Sequence, residues 1–260
     1  MIDALHGERL GDMILSYARG FVFLKGRKVA GTSLETALAA LCGPRDVITP
    51  ITPVDERYRL GLGLRPRNFA DSETIEQEYI ARVLRNDGGK VRDDSWPRWR
   101  FFNHMPLREV LERAPESRGM RRVMIERNPY AKVISQAAML VGLDDYHKTG
   151  AMSVNVEDAR RKASNMLERG SVKVVRNIPL YEDESGQVDG TVLRYENLEE
   201  DFAEFMRSLR VAEPPPLAHA KRSVMSNSID PRDFFTRAQI DQINRMFHRE
   251  FKRFGYDKIK

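Results

Sequence analysis

Three stretches of this chain share one layout: a short apolar run rich in β-formers, a loop carrying Gly, Pro or Asn, and then a helical pattern. They are Phe21 to Leu41 (FVFLKGRKVAGTSLETALAAL), Arg121 to Gly142 (RRVMIERNPYAKVISQAAMLVG) and Gly190 to Val211 (GTVLRYENLEEDFAEFMRSLRV). Strands that alternate with helices of this length restrict the chain to an α/β fold, and such sheets bind ligands at the carboxyl ends of their strands. We therefore expect one domain over residues 1–260, with a central, mainly parallel sheet flanked by helices.

The rest of the chain reads as connections and covering helices. A helix is expected over Asp71 to Arg85, then a turn at Asn86 to Lys90 (NDGGK). The second half of SWPRWRFFNHMPLREVLERA is helical, and Asn155 to Gly170 reads as a helix with an Asn cap and a closing Gly. Glu182 to Gly190 is a polar turn region, and the prolines of EPPP (Glu213 to Pro216) should stop the third helix. In the tail, Ile240, Ile243, Phe247, Phe251 and Phe254 form the stripe of an amphipathic helix. No repeat of fixed period and no low-complexity tract interrupts this pattern.

Composition excludes some functions. Lys and Arg number 43 against 38 Asp and Glu, a net charge of +5 that mildly favours anionic ligands. The charges are mixed along the chain with no basic arm or block, so nucleic acid is not implied. A single cysteine, Cys42, excludes an internal disulfide and any multi-cysteine metal site. It closes the run ALAAL, so it reads as a small core residue, and the low cysteine usage fits a reducing compartment. The N-terminal stretch is interrupted by charges every few residues and has neither a signal-peptide core nor a membrane span. A soluble, cytoplasmic protein is expected.

The first loop carries the chemistry. Gly26 and Gly31 have the spacing of a triphosphate-binding loop, G-x-x-x-x-G-K-[ST], but Thr32 stands where that loop has lysine, and Lys28 lies inside the turn. Backbone N–H groups at the start of the following helix favour an anion, Lys28 adds a mobile charge, and Thr32 and Ser33 add hydroxyls. Thr or Ser would also cap any helix, and Gly suits any turn. The second loop places Arg127 after a strand and Ser135 eight residues later, about two helical turns on. A guanidinium with a nearby hydroxyl suits a second phosphate; an Arg before Asn-Pro also braces a turn. Together the loops point to a ligand with two separated anionic groups.

KVAGTSLE resembles the 5′-phosphosulfate loop of sulfotransferases that use 3′-phosphoadenosine 5′-phosphosulfate (PAPS), and RNPYAKVIS resembles their 3′-phosphate loop. VLRYENLEEDF and FKRFGYD are similar to segments of the carbohydrate branch of that superfamily, the family 2-like sulfotransferases. The resemblance runs in islands from residue 21 to residue 257; residues 44–95 and 143–189 match nothing in the family. It implies a P-loop-like sulfotransferase fold, PAPS as the donor substrate, no metal and a hydroxyl-bearing acceptor, most simply a carbohydrate. Lys28 then contacts the bridging oxygen of the phosphosulfate, Gly31, Thr32 and Ser33 surround the 5′-phosphate, and Arg127 with Ser135 binds the 3′-phosphate. Lys132 departs from the pattern, since family members often have Arg there. The alternative is a triphosphate-dependent kinase or NTPase with a deviant loop; a third is a non-catalytic binding protein on the same fold.

An acceptor hydroxyl needs a general base, and histidine suits that work near neutral pH. Of His6, His104, His147, His219 and His248, His104 is the best placed, between an aromatic run and a helix start in the region where related carbohydrate enzymes carry their catalytic histidine. Its bland reading is a cap for the helix that begins at Pro106. His219 with Lys221, Arg222 and Ser223 offers further phosphate donors, and Trp96 and Trp99 offer stacking faces, although such aromatics more often pack cores. Glu196 offers a carboxylate for acceptor hydroxyls or a second-choice base, but reads first as a capping carboxylate for the helix that starts near Leu198.

Overall fold

The computed structural model describes residues 13–29, 31–85, 99–217 and 229–260. Its centre is a five-stranded sheet in the order β3-β1-β2-β4-β5, built from β1 (Met13–Ser16), β2 (Phe21–Leu24), β3 (Val47–Ile48), β4 (Arg121–Glu126) and β5 (Thr191–Arg194). The three expected strands are β2, β4 and β5, and they pair side by side in parallel, Leu24 opposite Met124 and Ile125 opposite Leu193. The sheet as a whole is nevertheless mixed rather than mainly parallel. β1 runs antiparallel to β2 through a tight hairpin at Tyr17–Gly20, and antiparallel to β3 on its other side. Gly20 takes a φ of +66°, which this turn requires and which only glycine adopts without strain.

β1 and β3 are hard to see in the sequence because they are short and do not alternate. All four residues of β1 are buried, as are all four of β2. Strands covered on both faces read as continuous apolar runs. Successive side chains still point to opposite faces. Met13, Leu15, Val22, Leu24 and Met124 join one core with Phe69, Tyr79, Val83, Leu107 and Val110. Ile14, Phe21, Phe23, Val123 and Ile125 join the opposite one with Leu34, Leu38, Phe202 and Phe205.

Eleven α-helices occur among the described residues. α1 (Gly31–Ala39) and α8 (Leu198–Ser208) supply the second of those cores. α2 (Pro53–Gly61), α3 (Glu73–Arg85), α4 (Leu107–Arg113) and the short α7 (Ile178–Tyr181) lie towards the first. A third cluster joins α5 (Pro129–Thr149) and α6 (Val156–Glu168) to α9 (Pro231–Phe234), α10 (Arg237–Met246) and α11 (His248–Phe254). Local chemistry sets these limits. Asn128 Oδ1 accepts from Tyr130 N at 3.0 Å with Pro129 at the first helical position, and Gly150 closes α5 at a φ of +76°. Asn155 caps α6 at Asp158 N, 2.8 Å, as its sequence implied.

Two helix ends differ from expectation. α8 stops before the prolines: Arg210, in the left-handed region at a φ of +55°, turns the chain away, and Val211 N returns to Met206 O at 3.1 Å. The tail stripe belongs to two helices, broken at Phe247, whose φ of −105° and ψ of 19° leave the helical region. The break lets one stripe serve two cores, because Ile240, Ile243, Phe247 and Phe251 pack in the third cluster whereas Phe254 packs in the first, edge-on to Tyr181. No helix among the described residues is long and apolar enough to cross a membrane. The whole is a single α/β domain. The NDGGK turn lies outside the described residues.

Candidate functional site

Because β2, β4 and β5 are parallel neighbours, the segments that leave them emerge at one edge of the sheet. The first is the turn Lys25–Val29. Gly26 has no room for a side chain: a Cβ would lie 2.1 Å from the Tyr181 hydroxyl and 2.4 Å from Asn177 Nδ2. Asn177 holds both backbone groups of the next residue, accepting from Arg27 N at 2.8 Å and donating to Arg27 O at 3.2 Å. Lys28 then adopts a φ of +62°, a left-handed conformation that costs a non-glycine residue about 1 kcal/mol or more. Its side chain reaches α5, where Nζ lies 3.3 Å from Met139 Sδ. Met139 stands one turn beyond Ser135, so Lys28 comes to the helix face that carries Ser135.

On the other side of the turn, α1 begins at Gly31, with Thr32 and Ser33 in its first turn. Lys25, the first residue beyond β2, places Nζ 3.5 Å from Thr32 Oγ1 and 3.2 Å from Glu35 Oε2. Glu35 is fully buried, and its other oxygen takes Arg59 Nη1 at 2.8 Å. Arg59 in turn is fixed by Glu56 at 2.9 and 2.7 Å and by Thr49 O at 3.0 Å. Two buried carboxylates and two cations thus form a closed network behind the first loop.

Arg127 follows β4 and is 2% exposed, with its guanidinium 4.2 Å from the ring centre of Tyr195, the residue that follows β5. Burial draws its pKa below the ordinary arginine value. Its backbone N donates to Glu126 Oε1 at 2.8 Å. The same oxygen lies 2.7 Å from Lys132 Nζ and accepts from Asn177 Nδ2 at 3.3 Å. Asn177 therefore joins the two loops, touching the backbone of one and the carboxylate beneath the other. Burial raises the Glu126 pKa against the pull of Lys132.

Lys132 is fully buried and committed to Glu126. The ion pair is part of the interior. Glu196 also differs from its expected role. It accepts from Asn128 N at 2.8 Å and from the Tyr256 hydroxyl at 2.9 Å, clamping the second loop to the chain terminus. α8 begins at Leu198, and its N-cap Asn197 makes no side-chain cap bond. A 3₁₀ turn over Tyr195–Asn197 carries Glu196 back across the sheet edge, which a sequence spacing alone does not show.

His104 is part-buried and strained, with a φ of +51°. Its Nδ1 lies 2.8 Å from the carbonyl oxygen of Lys25. A carbonyl only accepts, so the neutral ring carries its proton on Nδ1 and keeps the lone pair on Nε2. Burial, and after it the charge of Arg27, pushes the ring down to about 3. His104 does not cap α4, whose N-cap is Pro106 without a side-chain bond. Among the four described non-glycine residues with positive φ are both Lys28 and His104.

Trp99 is buried edge-on against Phe69 and Tyr79, 5.0 and 5.3 Å between ring centres, and belongs to the core. Cys42 is partly buried, and burial pushes its thiol up to about 12, which leaves it protonated and inert. His147 and His248 are exposed on helices. His6, Trp96, His219, Lys221, Arg222 and Ser223 lie outside the described residues. Lys25, Asn177 and Tyr195 were not singled out from the sequence. Lys25 had a visible signal, a lysine at a strand end beside a phosphate-type turn; Asn177 and Tyr195 had none, because their partners lie far away in the chain. Among the described residues, no three His, Cys, Asp or Glu side chains gather as metal ligands would.

No family model, no curated protein and no solved structure matches the chain.

Proposed function

We propose that this protein is a PAPS-dependent sulfotransferase on a P-loop-like fold. It moves a sulfuryl group to a hydroxyl of a sugar, glycan or other small acceptor, and works in the cytoplasm. The observation that carries this reading is Lys28, whose side chain leaves a strained turn after β2 and reaches the face of α5 that carries Ser135, a turn from Met139. The lysine thereby leaves the turn that precedes α1 and reaches the helix that follows Arg127, where in this reading a donor with phosphates at both ends of a nucleoside needs a cation.

In this reading Thr32, Ser33 and the N–H groups of α1 take the 5′ end, and Arg127 with Ser135 takes the 3′-phosphate. In the transfer, the acceptor oxygen forms its bond to sulfur as the bond from sulfur to the bridging oxygen breaks. The electron pair of that bond stays on the departing phosphate, where Lys28 stabilises it more strongly than in the ground state. The acceptor proton passes to His104 Nε2. Neutral His104 has the correct tautomer for this step.

Calorimetry with 3′-phosphoadenosine 5′-phosphate, against ATP and GTP with magnesium, tests the reading on wild type, Arg127→Ala and Arg127→Lys. The bisphosphate should bind without metal, and both substitutions should weaken it, Arg127→Ala by tenfold or more through loss of a charge-assisted contact of about 1.5–3 kcal/mol. Preference for a triphosphate with magnesium would hand the site to the kinase or NTPase alternative. Bisphosphate binding with no transfer to any hydroxyl acceptor would make the protein a binder only.

A further inference from the structure

Charges that are mixed along the sequence are sorted on the surface. The chain from Leu167 to Glu182 runs beside α10 and α11 and is tied to them at three points. Gln242 Nε2 donates to Leu167 O at 2.9 Å, Arg176 Nε lies 3.4 Å from Glu250 Oε1, and Arg249 pairs with Glu182. Between these ties Val172 and Val175 pack inward against the cluster of Ile243, Phe247 and Phe251. That packing leaves six cations of the two segments exposed: Arg169, Lys173, Arg245, Arg249, Lys252 and Arg253. With Arg176, residues 167–182 and 242–253 hold seven Lys and Arg against three acids, Glu168, Glu182 and Glu250, so four of the chain's five net positive charges sit here. Of those acids, Glu250 is buried and Glu182 is paired.

We propose that this basic surface docks the protein on an anionic lipid surface. Clustered Lys and Arg are drawn to negatively charged headgroups, each cation adding to the attraction while it stays within a Debye length of them. Two features favour lipid over another polyanion. Val174, 42% exposed between Lys173 and Arg176, offers an apolar contact at the headgroup boundary. The aromatic residues of the two segments, Tyr181, Phe247 and Phe251, are all buried, so the surface has no stacking platform for single-stranded nucleic acid. Arg27 Nη1 donates to Val174 O at 3.0 Å, which sets the docked face beside the turn that carries Lys28, whichever reaction that turn serves.

Co-sedimentation of the full chain with vesicles tests this, using phosphatidylcholine alone and an equimolar mixture of phosphatidylcholine and phosphatidylglycerol. Wild type should bind the mixed vesicles, leave the neutral ones, and come off as salt is raised. Lys173→Glu/Lys252→Glu should weaken that binding about twentyfold or more, at roughly fivefold for each cation withdrawn. Arg65→Glu/Arg207→Glu reverses two exposed cations on other elements and makes the same change in net charge, yet should keep most of the binding. Equal losses in the two double variants would mean attraction by net charge alone. Tighter binding to a single-stranded oligonucleotide than to the mixed vesicles would assign the surface to nucleic acid. Either result, failure to bind the mixed vesicles, or equal binding to neutral ones overturns the inference. Bisphosphate binding by calorimetry is separate from all of these outcomes, so the sulfotransferase reading stands or falls apart from them.

Discussion

At the residue scale, His104 shows how one side chain can be strained, neutral and oriented at once. Its left-handed backbone turns the ring towards Lys25 O, and burial keeps it uncharged down to a pH of about 3. The ordinary histidine value is about 6.5, so between these two the unfolded chain binds a proton that the folded chain does not. Stability therefore rises with pH across that window and is lost as pH falls from about 6.5 towards 3. His104→Gln should remove this dependence. Urea unfolding between pH 6 and 5 should cost wild type about 1 kcal/mol more than the variant, from the 1.4 kcal/mol per unit that one proton supplies. Equal slopes would mean that the ring is protonated in the fold. The same variant should lose turnover with PAPS and keep its affinity for the bisphosphate; unchanged turnover would move the base elsewhere.

At the element scale, caps and left-handed residues decide where helices begin and end, and they differ in how visible they are. Asn128-Pro129 and Asn155 announce α5 and α6 in the sequence, and both cap as their chemistry requires. Thr236 and Gln239 form a reciprocal capping box at α10, with Gln239 N donating to Thr236 Oγ1 at 3.3 Å and Thr236 N donating to Gln239 Oε1 at 2.9 Å. Thr236→Ala should cost about 1 kcal/mol in chemical denaturation, with bisphosphate binding unchanged, because the capped end of α10 meets α6, where Gln239 donates to Ser164 Oγ. A loss of binding would instead tie the tail to the site. The left-handed turn at Arg210 just beyond α8 had no signal, since arginine seldom adopts that conformation and the prolines beyond offered a sufficient reason.

At the scale of the whole molecule, charges buried under the two loops make the site and the interior one structure. Glu126, Lys132 and Glu250 are each fully buried, and Asn177 connects Glu126 to the first loop. Removing one partner of a buried pair leaves the other uncompensated, at about 3–5 kcal/mol. Lys132→Met should destabilise the protein by about that amount in urea, while the folded fraction keeps its bisphosphate affinity. A specific loss of affinity at unchanged stability would return Lys132 to the phosphate site. The three central strands, the order of the two loops and most helix starts were legible in the sequence, because periodicity, capping residues and glycine act over a few residues. Those signals determined an α/β domain with Lys28, Thr32, Ser33, Arg127 and Ser135 on loops and helix starts beyond strands. Only tertiary structure decided that β1 enters between β2 and β3, that Lys132 turns inward to Glu126, that Glu196 clamps Asn128, and that Asn177 and Lys25 hold the first loop. Each of these is a pairing between segments distant in the chain or a choice between two burial sites. Packing and desolvation settle such choices in the folded molecule, and no short stretch of sequence contains them.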